Sequence, residues 1–130
     1  MEALGAALAP KLRGRKILLF GDLGVGKTTF LRGLARGLKI KSKIKSPTFV
    51  GEHIHEISPT EKLIHIDLYH AEKLSLEKIE RLHELFTSKN TVAIEWSERL
   101  PKKFLPKKRV ELRFSELKNG ERKITIAKFS

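Results

Sequence analysis

Between Gly21 and Thr29 the chain reads Gly-Asp-Leu-Gly-Val-Gly-Lys-Thr-Thr. The first eight residues fit the pattern of glycine, four residues, glycine, lysine, then serine or threonine, which is the spacing of a phosphate-binding loop. Each residue type has a task. Gly21, Gly24 and Gly26 allow the backbone to turn its N–H groups toward phosphate oxygens with no Cβ in the way, and Leu23 and Val25 lie between them in the same loop. Lys27 supplies a cation for the β- and γ-phosphates, the Thr28 hydroxyl a ligand for magnesium, and Thr29 a further hydroxyl beside them. A helix starting near Lys27 adds the positive end of its dipole.

Such a loop needs carboxylates on the γ-phosphate side to hold magnesium and an attacking water. Two apolar runs end in one: "LIHID" at Asp67 and "VAIE" at Glu95. Either residue is a candidate for the metal, and the other for water. Thr48, in "SPTF", follows a proline-stiffened extended piece where a moving loop would bring its hydroxyl to magnesium; a strand start in which it only hydrogen-bonds its own backbone is the competing role. Trp96, the only tryptophan, would point away from Glu95 if the strand continued, so core packing competes with nucleotide contact. His53, His55, His65 and His70 do not make a clear tetrahedral set for a metal.

These residues need elements to position them. Leu4, Leu8 and Leu12 recur at helical spacing before Gly14, which predicts a short helix from Glu2 to Leu12. "KILLF", Lys16–Phe20, reads as a buried strand. Phe30, Leu31, Leu34, Ala35 and Leu38 predict a helix from about Lys27, ending near Gly37, so the glycine loop links strand to helix. Strands are expected over Phe49–Ile57, Leu63–Leu68 and Thr91–Trp96, with a helix over Leu74–Phe86. Two alternating runs around Asn119-Gly120 predict a C-terminal hairpin, both residues tolerating positive φ. The order predicts a single α/β domain over residues 1–130 with a mainly parallel central sheet, flanking helices and an antiparallel hairpin, and ligands beyond the carboxyl ends of the strands.

Composition sets outer limits. The 130 residues carry a formal net charge of +12 and no cysteine, which removes disulfides and thiolate metal sites. No apolar run approaches a membrane span, and the opening residues are not signal-like, so a soluble, cytoplasmic protein is the expectation. Lysines crowd Lys39–Lys45 and Lys102–Arg109, where they would meet an acidic partner such as nucleic acid or form a solvated surface. Glutamine is absent and charged residues reach 32%, a composition associated with hot habitats.

Gly21–Thr29, Ser-Pro-Thr-Phe at Ser46–Phe49, His-Ile-Asp-Leu-Tyr at His65–Tyr69 and Ile-Glu-Trp-Ser-Glu-Arg at Ile94–Arg99 occur in an order that resembles the TsaE (YjeE) family. The resemblance implies a P-loop NTPase-like fold and an ATP-binding protein with weak magnesium-dependent ATPase activity. It also implies partners, TsaB and TsaD, whose complex forms threonylcarbamoyladenosine beside the anticodon of tRNAs reading codons that begin with A, and whose turnover it supports. Carried onto this sequence, it places Lys27 on phosphate, Thr28 and Glu95 on magnesium, Asp67 and Glu95 in hydrolysis, and Thr48 and Trp96 at the nucleotide site or its moving edge. Arg122 is a candidate for adenine contact. Two positions depart from the family: Val25 where alanine is frequent, and His70 where arginine commonly follows the tyrosine.

The residues by themselves leave a second class of function open, a standalone phosphate-loop kinase acting on a small molecule. ATP is favoured over GTP because the Asn-Lys-x-Asp guanine motif is missing.

Overall fold

The computed structural model describes residues 1–21, 26–40, 52–68 and 75–129, and the backbone of 42–44. Lys16–Phe20 forms strand β1 inside a sheet whose other members are β2 (Ser42–Ile44), β3 (Glu52–Ser58), β4 (Glu61–Asp67), β5 (Thr91–Glu95), β6 (Arg109–Glu116) and β7 (Arg122–Phe129). The strand order is β2-β3-β4-β5-β1-β6-β7. The four central strands β4, β5, β1 and β6 run parallel, whereas β2, β3 and β7 join antiparallel at the two edges. The parallel centre is the expected one. The short edge strand β2 and the antiparallel attachment of β3 were not legible in the pattern.

Side chains alternate between the two faces of each strand, and two helical layers use that alternation. Ile17, Leu19, Leu63, Ala93 and Leu112 pack with helices α1 (Glu2–Leu12) and α2 (Lys27–Gly37). Leu18, Ile64, Ile66, Val92 and Ile94 pack on the other face with Leu82 and Leu85 of α3 (Leu76–Thr87). Ser75 caps α3, its Oγ accepting from the Lys78 N–H at 3.2 Å, and satisfies one of the first-turn donors. Helix α3 is held to β3 by Arg81, which donates to the buried Glu52 carboxylate at 2.9 Å.

Helices α1 and α2 touch through backbone. The Cα of Gly33 faces the Glu2 carbonyl, and Gly5 faces the backbone of Phe30 and Leu34. A Cβ has no room there. The loop joining α3 to β5 is fastened by the buried Lys16, whose Nζ donates to the carbonyls of Ser88 at 2.8 Å and Asn90 at 2.6 Å.

The C-terminal hairpin forms as expected, with a different turn. Among the described residues of the turn only Gly120 has positive φ, at 84°; its N–H donates to the Leu117 carbonyl at 2.9 Å, and the Leu117 N–H to the Glu121 carbonyl. Asn119 instead turns its side chain inward, Oδ1 accepting from the Glu121 N–H at 3.0 Å. The extra residue gives a bulged hairpin in place of a two-residue primed turn.

Candidate nucleotide site

The site is assembled where β1 gives way to α2, at the carboxyl ends of β4 and β5. Gly26, the residue before α2, has φ 100°, a left-handed conformation that glycine adopts without a Cβ penalty. It lets the chain enter the helix with Lys27 and Thr28 in the first turn, where unsatisfied N–H groups and the helix dipole favour an anion. Thr29 follows in the same turn. Lys27 is buried. Its Nζ donates to the Gly21 carbonyl at 2.6 Å and lies 4.2 Å from the centroid of the Trp96 ring.

Sheet register supplies the acid side. Asp67 and Glu95 are direct register partners on the parallel strands β4 and β5, so both carboxylates leave the same face, the one that α2 covers. Glu95 is buried, and its Oε2 lies 2.9 Å from His65 Nε2. Burial alone pushes the Glu95 carboxyl up; the His65 hydrogen bond and the charges of His65 and Lys27, with the Thr28 hydroxyl, outweigh it and hold the group below the usual carboxylate range. Glu95 is therefore an ionised acceptor in a sheltered place.

Trp96 does not continue the strand. It takes a left-handed conformation, φ 60° and ψ 42°, and a single 3-10 turn, Ser97–Arg99, follows. Ser97 Oγ closes the turn by donating to the Ile94 carbonyl at 2.9 Å. The indole packs against the α3-side core, as alternation implies, and the turn also lets its ring meet Lys27. The same turn brings Glu98 back to β1, where its Oε2 accepts from the Gly21 N–H at 3.0 Å.

Gly21, Gly26, Lys27, Thr28, Asp67, Glu95 and Trp96 are thus brought to one end of the sheet. Arg122 joins them from β7: its guanidinium and Cδ lie beside Gly26, so the hairpin reaches the mouth of the loop. Leu23, Gly24, Val25, Thr48 and His70 lie outside the described residues. Two members were missed by sequence reasoning. His65 shares a face with Asp67 by simple alternation, a signal present in "HID", but its contact with Glu95 depends on the pairing of β4 with β5. Glu98 lies within the Ile94–Arg99 motif, but its contact with Gly21 arises only through the turn at Trp96.

The donor set suits a magnesium nucleotide. Among the described residues no three His, Cys, Asp or Glu side chains gather to hold a metal by themselves. One sheltered carboxylate beside a threonine hydroxyl offers the oxygen ligands magnesium takes when phosphates and waters complete its shell, and the lysine is left for the phosphates. No described helix is long and apolar enough to cross a membrane.

The comparisons with known proteins agree on a family. The model of the family described as threonylcarbamoyl adenosine biosynthesis protein TsaE matches residues 1–124. The tRNA threonylcarbamoyladenosine biosynthesis protein TsaE of Nostoc sp. is 39% identical over 98% of this chain and 79% of its own length. That of Streptomyces coelicolor is 39% identical over 75% of this chain and 68% of its own. Among solved structures, Bacillus subtilis YdiB superposes with a TM-score of 0.68 at 27% identity, covering all of this chain and 82% of YdiB. With a family model spanning residues 1–124 and relatives 39% identical over most of the sequence, the chain belongs to the TsaE family.

Proposed function

We propose that this chain binds ATP with magnesium at the β1–α2 junction, hydrolyses it slowly, and thereby supports turnover of a cytoplasmic TsaB–TsaD complex. That complex forms threonylcarbamoyladenosine beside the anticodon of tRNAs reading codons that begin with A. The observation that carries the reading is the convergence of Lys27, Thr28 and Glu95: the helix start and the β5 end face each other closely enough for both Lys27 and Thr28 to act on the Glu95 carboxylate.

In this reading Lys27 exchanges the Gly21 carbonyl and the Trp96 face for phosphate oxygens, a stronger charge-assisted pairing. Loop amides from Gly21 to Gly26 cradle the phosphates. Thr28 and Glu95 hold magnesium, which supplies charge neutralisation along the phosphates. Asp67, one strand away on the same face, holds or orients water. Thr48 completes the site from its loop, Trp96 flanks it, and Arg122 offers a cation and a flat surface to the base.

The test is multiple-turnover threonylcarbamoylation of tRNA by purified TsaB and TsaD with a threonylcarbamoyl donor and ATP, with and without this chain. Turnover beyond one cycle should require the chain and hydrolysable ATP. Equal turnover without it, using partners from the same organism, defeats the proposal.

A further inference from the structure

We propose that His65 is a positioning residue that fixes the orientation of the Glu95 carboxylate; the inference rests on the reading of Glu95 as a magnesium-side group. The two residues are diagonal neighbours on one sheet face. The register partner of Glu95 is Asp67, and that of His65 is Ala93. Alanine beside the imidazole leaves space for the ring to lean along the strands toward Glu95, which it reaches at 2.9 Å.

The donor can be assigned chemically. An ionised carboxylate only accepts, so the hydrogen of this contact sits on His65 Nε2. The ring is itself backed by a neighbour: His53, its register partner on β3, stacks beside it with centroids 5.6 Å apart and planes at 32°. His65 is thus flanked on one side by His53 and committed on the other to Glu95 Oε2. With that oxygen held, the carboxylate cannot turn freely about its last torsion, and its plane is set before nucleotide and metal arrive. Outer partners of this kind tune metal affinity through the ligand they orient, by about 10- to 100-fold.

A merely structural hydrogen bond would affect folding and leave the metal response alone, and calorimetry separates the two. ATP binding to the full chain is titrated in EDTA and at rising magnesium for the wild type, His65→Leu, His65→Asn and His65→Gln, with thermal unfolding in parallel. The wild type should tighten its hold on ATP as magnesium rises. His65→Leu should raise the magnesium midpoint about tenfold while binding in EDTA stays within about twofold. His65→Gln, whose amide N–H reaches as far as Nε2, should recover most of the loss. His65→Asn stops short of Glu95 and should resemble the leucine variant, and it decides the matter if leucine prevents folding. A wild-type midpoint in both the leucine and asparagine variants overturns the inference, as does equal loss of EDTA binding in all three. Absence of any magnesium response in the wild type overturns the nucleotide reading first and this inference with it.

Discussion

The Lys27 ammonium lies 4.2 Å from the centroid of the Trp96 ring, so the cation of the phosphate loop and the sole tryptophan are in contact. A cation over an aromatic face contributes about 0.5 to 2 kcal/mol, less than a charge-assisted bond to phosphate. We predict that ATP draws Lys27 off the ring and changes the intrinsic fluorescence of the protein, and that Lys27→Ala abolishes the response. Emission that is unchanged while calorimetry reports bound ATP would sink the prediction.

Glu95→Ala is expected to lower ATP hydrolysis by about 100-fold or more, while binding of ATP in EDTA is retained, since Lys27 and the start of α2 are unaltered. Filter binding and phosphate release measured on the same preparation separate the two effects. Loss of both to the same degree would assign Glu95 to the fold instead.

The depressed Glu95 carboxyl also gives a pH prediction. Its value in the folded chain lies below the unfolded one, so the stabilisation is fully present above the ordinary carboxylate range and is lost as pH falls through the lowered value. Melting temperatures of the wild type and Glu95→Gln should therefore differ most near neutrality and converge on acidification. A gap that widens at low pH would contradict the assignment.

Lys16→Met tests the loop fastening. The side chain is buried and serves the Ser88 and Asn90 carbonyls; burial lowers its pKa, so the ammonium itself is costly to keep. Methionine removes that cost but strands two carbonyls, each worth about 1 to 3 kcal/mol when unpaired. The expected balance is a loss of stability, read as a lower denaturant midpoint. An unchanged or raised midpoint would mean that desolvation of the amine outweighs both bonds.

Gly33→Ala should destabilise the chain by about 1 to 3 kcal/mol, because the added methyl meets the backbone of Glu2 and only a shift of α1 relieves it. Ala35, half-buried on the same helix, shows that alanine is tolerated elsewhere on α2. Thermal melts of Gly33→Ala make the test, and an unchanged or raised melting temperature, as expected of alanine in an unobstructed helix, would argue against a close helix crossing.

Much of this was legible from local pattern. Short apolar runs ending in Asp67 and Glu95, a glycine loop before an amphipathic helix, and a turn at Gly120 each report on a few consecutive residues. What was hidden depends on pairing between distant segments. The His65–Glu95 contact needs β4 beside β5 in one register. The Gly5 and Gly33 contacts need two helices to cross, whereas the sequence shows only glycines within helical runs. For Trp96 the sequence offered core packing and nucleotide-side contact as alternatives; its φ of 60° at the residue after the strand lets the ring pack on the core and meet Lys27 at once.

Because Asp67 and Glu95 are register partners, their spacing is a property of hydrogen bonding between two strands and not of any loop. Slippage of β4 by one residue would turn Asp67 and His65 to the α3 side together, removing an acid and the partner of the other acid in one event. The acidic half of this site therefore depends on an unbroken count: a one-residue insertion or deletion between His65 and Asp67 would put the two on opposite faces, while length variation beyond the paired segment leaves them together.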